Sequence, residues 1–242
     1  MARRTLLSWS SGKDSAWTLQ VLKGRSDVDV VGLFCTYNEV FDRVAMHGVR
    51  IELVRQQAGR PGVALGVSGC AGNSVEQSAI GVGLPLELIA IPDPCSDGQY
   101  AAIMEGFVER ARTQRIDAFA FGDLLLEDIR AYREDRLAGT GIEPLFPLWG
   151  VSTAELSREM VDGGLRAIIT CVDPAHLPAE FAGQVYDHAF LDRLPPGVDP
   201  CGENGEFHTF VYDGPMFGRP VPVAVGETVS RDGFVFTDLA PG

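Results

Sequence analysis

The stretch Thr5-Leu6-Leu7-Ser8-Trp9-Ser10-Ser11-Gly12-Lys13-Asp14-Ser15 decides the fold class of this chain of 242 residues. An apolar run at residues 5–9 leads into a turn of small and polar residues at 10–15, and a helical pattern follows at 14–23. A strand that turns directly into a helix leaves backbone N–H groups available at the helix N-terminus, where the helix dipole adds partial positive charge. This order therefore predicts a phosphate-binding turn.

The residue types of the turn support the same prediction. Gly12 allows a close approach of an anion to the backbone, and Lys13 brings a full positive charge. Hydroxyl donors come from Ser10, Ser11 and Ser15. A Walker A loop does not fit, because Asp14 separates Lys13 from Ser15. The alternative of a plain N-capped helix explains the serines and the glycine but not Lys13, which is one of two lysines beside eighteen arginines.

Apolar runs and helical patterns alternate along the first three quarters of the chain. Strands are predicted at residues 5–9, 29–37, 86–92, 118–121 and 166–172, and helices at 14–23, 44–57, 96–115 and 152–162. Ser96 and Ser152 begin predicted capping boxes, and Gly24 and Gly163 are predicted helix stops. Strands that are apolar on both faces and alternate with helices predict an α/β fold with a doubly wound parallel sheet. Ligands of such sheets bind at the carboxyl ends of the strands.

The alternation of apolar runs and helical patterns ends after residue 195. Pro195-Pro196-Gly197 interrupts regular structure, a strand is predicted at 208–212, and a hairpin is predicted from 221–225 and 233–237 joined by 226–232. We therefore expect two domains: an ATP-binding domain at 1–150 and a smaller α+β portion at 151–242 that covers the substrate.

Composition narrows the class of protein. The formal net charge is −13, which is unfavourable for a nucleic-acid-binding surface. No apolar run approaches the ~20 residues that span a bilayer, and no signal peptide precedes the first strand, so we expect a cytoplasmic protein without a membrane partner. The five cysteines lie far apart without a Cys-x-x-Cys pair, which disfavours a disulfide framework and a zinc ribbon. The oligomeric state stays open, a homo-oligomer included.

A second cluster of polar residues lies near the C-terminus, in Cys201-Gly202-Glu203-Asn204-Gly205-Glu206-Phe207-His208. Two carboxylates, Glu203 and Glu206, are held on a glycine-rich turn that we expect to bring them to one point, with His208 on the strand that follows. Crowded oxygen ligands suit Mg²⁺ or a cationic or amine substrate. A solvated acidic turn is the alternative that the residues leave open.

Three further positions are candidates for nucleotide contact. Gly122 and Asp123 end a predicted strand, so Asp123 can face the ligand crevice or can cap the next helix. Arg130 is a candidate anion ligand, although Arg130, Arg133 and Arg136 also fit a solvated, ion-paired helix face. His47 follows the second strand.

Two resemblances draw these features together. Residues 10–15 resemble the Ser-Gly-Gly-x-Asp-Ser signature of pyrophosphatase-loop (PP-loop) enzymes, with Ser11 in place of the first glycine. The run Glu-Asn-Gly-Glu-Phe-His-Thr-Phe-Val at 203–211, followed by Asp-Gly-Pro-x-Phe, resembles the C-terminal signature of the diphthine–ammonia ligase family, the N-type ATP pyrophosphatases. Met-His-Gly-Val at 46–49, the run at 122–130 and Pro-Leu-Phe-Pro-Leu-Trp at 144–149 resemble it as well. Residues 58–80 depart from the family pattern.

The resemblance implies a fold and a chemistry. The fold is Rossmann-like, of the adenine nucleotide alpha hydrolase (HUP) type. ATP and Mg²⁺ activate a carboxylate as an acyl-adenylate, which ammonia attacks to give an amide, AMP and pyrophosphate. The resemblance implies five catalytic residues, which are Lys13, Asp14, Glu203, Glu206 and His208. The implied metal ligands are Asp14, Glu203 and Glu206. The implied nucleotide contacts are residues 10–15, His47, Gly122, Asp123 and Arg130.

The acceptor and two rival functions stay open. Diphthine is the family's acceptor in archaea and eukaryotes, and the composition, typical of a GC-rich bacterial genome, favours another carboxylate. One rival is a nucleotide-binding protein of universal-stress type, for which the acidic turn would be superfluous. The other is a PP-loop tRNA-modifying enzyme, which would need paired cysteines and a basic surface.

Overall fold

The computed structural model describes residues 1–44, 48–59 and 80–242. Within this part of the chain, five strands form an all-parallel sheet in the order β3-β2-β1-β4-β5. Its strands are β1 (Arg3–Ser8), β2 (Val28–Asn38), β3 (Leu86–Ile91), β4 (Ala118–Ala120) and β5 (Glu143–Leu145). The connecting helices are α1 (Lys13–Lys23), α2 (Ile51–Ala58), α3 (Asp97–Thr113) and α4 (Glu127–Leu137). The predicted doubly wound sheet is confirmed.

Alternation along β1 explains why this sheet is covered on both faces. Leu6 and Leu7 are both fully buried, but they belong to different apolar clusters because successive side chains point to opposite faces. Leu6 packs with Phe107 of α3 and Phe119 of β4, whereas Leu7 packs with residues of α1 and α2. Helices on both faces bury the sheet, which a parallel sheet requires.

The remaining described strands form a separate antiparallel sheet, as the predicted C-terminal α+β portion requires. They are β6 (Arg166–Val172), β7 (Val185–Tyr186), β8 (Phe207–Asp213), β9 (Val223–Arg231) and β10 (Phe234–Pro241). β6 pairs with β8 on one edge and with β7 and β10 on its other edge. Helices α5 (Thr153–Asp162) and α6 (His188–Asp192) and a 3-10 turn (Ala179–Phe181) belong to this part.

Several sequence-based boundaries need correction. β6, predicted among the strands of the parallel sheet, lies at the centre of the antiparallel one. The apolar pattern of its sequence indicates a strand that is buried on both faces, but it does not indicate whether the neighbouring strands run parallel or antiparallel. The helix predicted at 44–57 begins at Ile51, and Val44 lies outside it, since the Val44 N–H donates to the Val49 carbonyl at 2.9 Å. The predicted hairpin is confirmed, but its strands include most of 226–232. β5, α6 and β7 lacked a strong sequence pattern and were not predicted, and α4 was expected only as the helix that follows Asp123, without bounds.

The helix ends follow the predicted signals closely. Ser96 forms a complete capping box with Gln99. Ser152 accepts from the Glu155 N–H, which is the first half of such a box. Gly24 and Gly163 are C-caps. At Gly163 a Cβ would lie 2.3 Å from the Trp17 ring, so α5 can end against α1 only without a side chain there.

The antiparallel sheet lies against the predicted phosphate turn. The Val211 N–H of β8 donates to the Ser11 carbonyl at 3.0 Å, and the Lys13 N–H donates to the Thr209 hydroxyl at 3.0 Å. One apolar cluster runs from the α1 face of the parallel sheet into the second sheet. The strands of the two sheets occupy different parts of the chain, 3–145 and 166–241, while the domain division at residue 150 stays a prediction. In the described ranges, no helix has the length and apolarity needed to cross a membrane.

Candidate functional site

A cleft of ≈ 1110 Å³ opens at the carboxyl ends of β1, β2 and β4. Strand order reverses between β1 and β4, so the cleft lies at the topological switch point where open α/β sheets bind their ligands. Its walls combine the phosphate turn, the ends of these strands, the inner faces of α3 and α4, and residues 201–209 from the second sheet. Two regions of the sequence about 190 residues apart therefore meet in one cavity.

The phosphate turn is held in its shape by its own residues. Gly12 is the N-cap of α1 and makes no side-chain cap, and the first helical N–H, that of Lys13, donates instead to the Thr209 hydroxyl of β8. The Ser15 hydroxyl donates to the Gly12 carbonyl at 2.9 Å and lies 3.2 Å from the Ser10 hydroxyl. Ser11 has φ of 72°, a left-handed conformation that favours glycine, the residue that PP-loop signatures have here.

Gln57 of α2 connects the turn to both sheets, and sequence reasoning missed it. Its side-chain carbonyl accepts from the Trp9 indole N–H at 2.8 Å. Its amide donates to the Ser11 carbonyl at 3.0 Å and to the Val211 carbonyl at 2.6 Å. Gln57 is fully buried, so each of these bonds satisfies a group that water cannot reach. A glutamine within a helical pattern gave no local signal of this role.

Lys13, which carries the positive charge of the phosphate turn, is buried. Its side chain is 3% exposed, and its ammonium donates to both Asp14 oxygens, at 2.8 and 3.0 Å, and to the Cys201 carbonyl. It also lies 5.6 Å from the centre of the Phe207 ring. Burial lowers the pKa of Lys13, but Asp14, Cys201 and Glu203 together outweigh burial and the net shift of the pKa is upward. A fixed positive charge therefore lies at the inner end of the cleft.

The acidic turn does not bring its two carboxylates to one point. Glu206 is 2% exposed and turns inward, where it accepts from the Asp199 N–H, the Asn204 N–H and the Asn204 amide, each at 2.9 Å. These three bonds lower the pKa of Glu206 against the opposing effect of burial. Glu206 therefore shapes the turn, and Asp199 and Asn204, which sequence reasoning missed, complete it.

Glu203 faces the cleft, where it is a neighbour of the phosphate turn. Burial, followed by the nearby Asp14 carboxylate, raises the pKa of Glu203 to about 7. His208 of β8 is half-buried and also lines the cleft. Cys201 is 1% exposed, and burial raises the pKa of its thiol to about 12, which makes it a core residue and not a reactive one.

The carboxylates do not form the predicted three-ligand magnesium site. Glu206 uses its oxygens within the turn, and Asp14 uses both of its oxygens on Lys13. Throughout the described ranges, no group of three or more His, Cys, Asp or Glu side chains is placed to hold a metal ion. Of the three predicted ligands, Asp14 and Glu203 line the cleft, and they are the ones that a phosphate-bound Mg²⁺ could contact.

The other predicted contacts separate into different environments. Gly122 packs against the start of α1, where a Cβ would lie 3.0 Å from the Asp14 carbonyl carbon. Asp123 lines the cleft in a two-fold ion pair with Arg133, at 2.6 and 3.1 Å, and it does not cap α4, whose N-cap is Leu126. Arg130 lies outside the cleft lining.

Arg130 instead fits the alternative of an ion-paired helix face. Its guanidinium lies 4.7 Å from the Trp149 ring centre and 5.0 Å from that of Phe146, and it pairs with Glu134 at 2.8 Å. Arg133 and Arg136 are the α4 guanidiniums that line the cleft. His47 lies outside the described residues, so its predicted role stays a prediction.

Comparison with known proteins gives consistent matches. Residues 152–236 match the family model of the diphthamide synthase C-terminal domain. The chain is 33% identical over 128 residues to diphthine–ammonia ligase of Danio rerio, covering 49% of each chain. It is 29% identical over 132 residues to that of Homo sapiens, covering 52% of this chain and 49% of the human one. The fission yeast Schizosaccharomyces pombe protein of the same name is 28% identical over 120 residues, or 48% of this chain and 20% of its own.

The matched segment spans about half the length of the animal relatives. The family model covers the part of the chain that carries the acidic turn and β8, which together close one side of the cleft. The domain match and the similarity to these relatives lead to the same group of proteins, and the chain is similar to the diphthine–ammonia ligases over about half of its length.

Proposed function

We propose that this protein is an ATP-dependent ligase that joins ammonia to a carboxylate through an acyl-adenylate. The observation that carries the proposal is the meeting of the phosphate turn with Glu203 and His208 in a single cleft at the switch point of the sheet. The relatives named diphthine–ammonia ligase support ammonia and a carboxylate as the reactants. Cleavage of ATP to AMP and pyrophosphate follows from the resemblance of residues 10–15 to the PP-loop signature.

The first half of the reaction forms the adenylate. A carboxylate oxygen of the acceptor attacks the α-phosphorus of ATP, and the bond from the α-phosphorus to the bridging oxygen breaks, so that pyrophosphate leaves with the electron pair. The N-terminus of α1 and the Lys13 ammonium would stabilise the charge that develops on the leaving group. Asp14 holds the Lys13 ammonium at 2.8 Å, which keeps it oriented in the cleft. Mg²⁺ stays a prediction, with Asp14 and Glu203 as its nearest carboxylates.

The second half transfers the acyl group to nitrogen. Ammonia attacks the acyl carbon, the bond from that carbon to the AMP oxygen breaks, and the nitrogen loses one proton. Glu203 is suited to attract ammonium, the form that predominates in neutral water, because its carboxylate lies beside Asp14 in a half-buried cleft. Residues 151–242 would act as the cover that keeps water from the adenylate. His208 stays a candidate contact for the acceptor or the nucleotide.

The two rival functions have less support. A protein of universal-stress type binds nucleotide without adenylating anything and has no use for Glu203 in the cleft. A tRNA-modifying enzyme is opposed by the net charge of −13, which repels a polyanion.

Product analysis tests the proposal. Phosphorus NMR of ATP turned over with ammonium and a panel of carboxylic acids should show AMP and pyrophosphate; ADP and phosphate would refute the class of reaction. Lys13→Ala should weaken ATP binding at least tenfold by calorimetry, since a bond from a charged donor is worth ~1.5–3 kcal/mol. Lys23→Ala is the matched control: the other lysine of the chain donates to the Met216 carbonyl at 2.8 Å and does not line the cleft. Equal ATP affinity in the two folded variants would remove Lys13 from the phosphate site.

A further inference from the structure

The face of the parallel sheet under α3 and α4 is only partly covered by its helices. α3 is described throughout, and two of its 17 residues are buried, Phe107 and Ala111. α4, also described throughout, buries one of its 11 residues, Leu137. A helix that covers one sheet face ordinarily buries a stripe of three or four residues every two turns. The two helices therefore leave a groove between them.

The groove is continuous with the candidate active site, and its lining combines apolar and aromatic side chains with charged ones. From α3 the residues Tyr100, Met104, Val108 and Arg112, spaced four apart on one face, line it. From α4 the facing residues are Ile129, Tyr132, Arg133 and Arg136, and Thr140 lines the groove just after the helix ends. Phe119 and Phe121 lie beneath them. Because α3 rises about 1.5 Å per residue, the groove extends roughly 18 Å from Tyr100 to Arg112.

The charges of the groove are distributed unevenly. Near the phosphate turn, Arg133 is neutralised by its two bonds to Asp123. At the far end, Arg112 is paired with Glu109 at 2.8 Å. Arg136 lies 5.2 Å from the Tyr132 ring centre, and within the described ranges it has no ion pair. The groove thus has apolar walls and a guanidinium at its far end that is available to an acidic or hydrogen-bond-accepting group.

We infer that this groove binds the acceptor of the ligase, an elongated organic acid with an apolar or aromatic body. Its reacting carboxylate would lie at the phosphate turn, its body along Met104 and Val108, and its distal end against Arg136. This inference rests on the proposed function, because it assigns the acceptor of that same reaction to a place in the cleft.

Two observations favour a small organic acid over a second protein chain. The groove opens directly into the cleft where the adenylate would form, so a ligand that lies in it can present its carboxylate to the α-phosphorus. A second copy of the chain would bring another 13 negative charges to a groove whose α3 wall already carries Glu105 and Glu109.

Binding of an anionic aromatic probe, 8-anilinonaphthalene-1-sulfonate, tests the inference without knowledge of the acceptor. The full chain should bind one probe with enhanced fluorescence. Val108→Arg, which fills the groove, should weaken binding about tenfold or more, and Arg136→Gln, a change of an exposed side chain that preserves the fold, should weaken it about threefold to tenfold. Val225→Arg is the control, since Val225 is 54% exposed on β9, outside the lining of the cleft.

The possible outcomes separate the inference from the proposed function. Unchanged probe affinity in Arg136→Gln together with Val108→Arg would overturn the groove as a site. Competitive displacement of the probe by ATP would also overturn it, because the groove would then belong to the nucleotide. Retained probe binding in a protein that converts ATP to ADP would refute the ligase reaction while the groove stands as an organic-acid site. Displacement by long-chain or aromatic carboxylates, and not by acetate, is the expected result.

Discussion

Replacing Ser11 with glycine should stabilise the protein, although serine is buried in the middle of the phosphate turn. Ser11 has φ of 72°, and its hydroxyl is buried without a hydrogen-bond partner in the described part of the chain. The left-handed conformation costs a side-chain-bearing residue about 1–2 kcal/mol. An unsatisfied buried hydroxyl costs about 1–3 kcal/mol. Ser11→Gly removes both costs.

Two smaller terms oppose this gain. Glycine loses about 0.5–1 kcal/mol more chain entropy on folding, and the lost side-chain carbon forfeits about 0.8 kcal/mol of burial. The net expectation is a stabilisation of about 2 kcal/mol, which corresponds to a rise of about 4–8 °C in Tm for a chain of this size. The Ser11 carbonyl keeps its bonds from the Gln57 side-chain amide and the Val211 N–H, because both are accepted by the Ser11 backbone.

Urea unfolding followed by tryptophan fluorescence measures the change, since Trp9 and Trp17 are both buried near the turn. Ser11→Ala is the matched control: it removes the hydroxyl but retains the strained φ, so it should show the gain from the hydroxyl alone, about 1–3 kcal/mol. ATP affinity should be retained in both variants, because the backbone N–H groups of the turn are unchanged. A Ser11→Gly protein less stable than the parent would refute the reasoning from strain and the unpaired hydroxyl.

Three further variants address the elements that hold the site. Gln57→Leu should destabilise the protein by about 2–4 kcal/mol in urea unfolding, because it leaves buried partners unpaired. Gln56→Leu on the same helix should be nearly neutral, and similar effects of the two substitutions would contradict the role of Gln57. Gly122→Ala should lower ATP affinity about tenfold in calorimetry, since its Cβ would press on the backbone of the phosphate turn, while Gly98→Ala, where a Cβ meets open space, should not. The pKa of Glu203 rises from 4.5 to about 7 on folding, so the folded state binds the extra proton and stability falls as pH rises through that window. Glu203→Gln cannot titrate, so between pH 4 and pH 8 its free energy of unfolding should rise by about 1–2 kcal/mol relative to that of the parent, a value discounted because the side chain is partly exposed. Parallel curves of unfolding free energy against pH for the two proteins would exclude the raised pKa of Glu203.

The sequence by itself determined the parallel sheet, its switch-point turn and the resemblance to the diphthine–ammonia ligases. These follow from local patterns: a strand that leads through Ser10–Ser15 into a helix, apolar runs alternating with amphipathic ones, and a glycine-rich acidic turn before β8. Each such pattern lies within some twenty residues, where the periods of helix and strand are directly visible. The order of the motifs along the chain was sufficient to identify the family resemblance.

Only the tertiary structure decided how these parts meet. Lys13 is buried by the Cys201 carbonyl and Phe207, partners nearly 190 residues away. Glu206 turns inward because Asp199 and Asn204 offer it three donors, which the spacing of two glutamates on a turn does not reveal. The physical reason is common to both: burial and hydrogen-bond pairing depend on which distant segments are brought into contact, and local periodicity records only which face of an element is apolar.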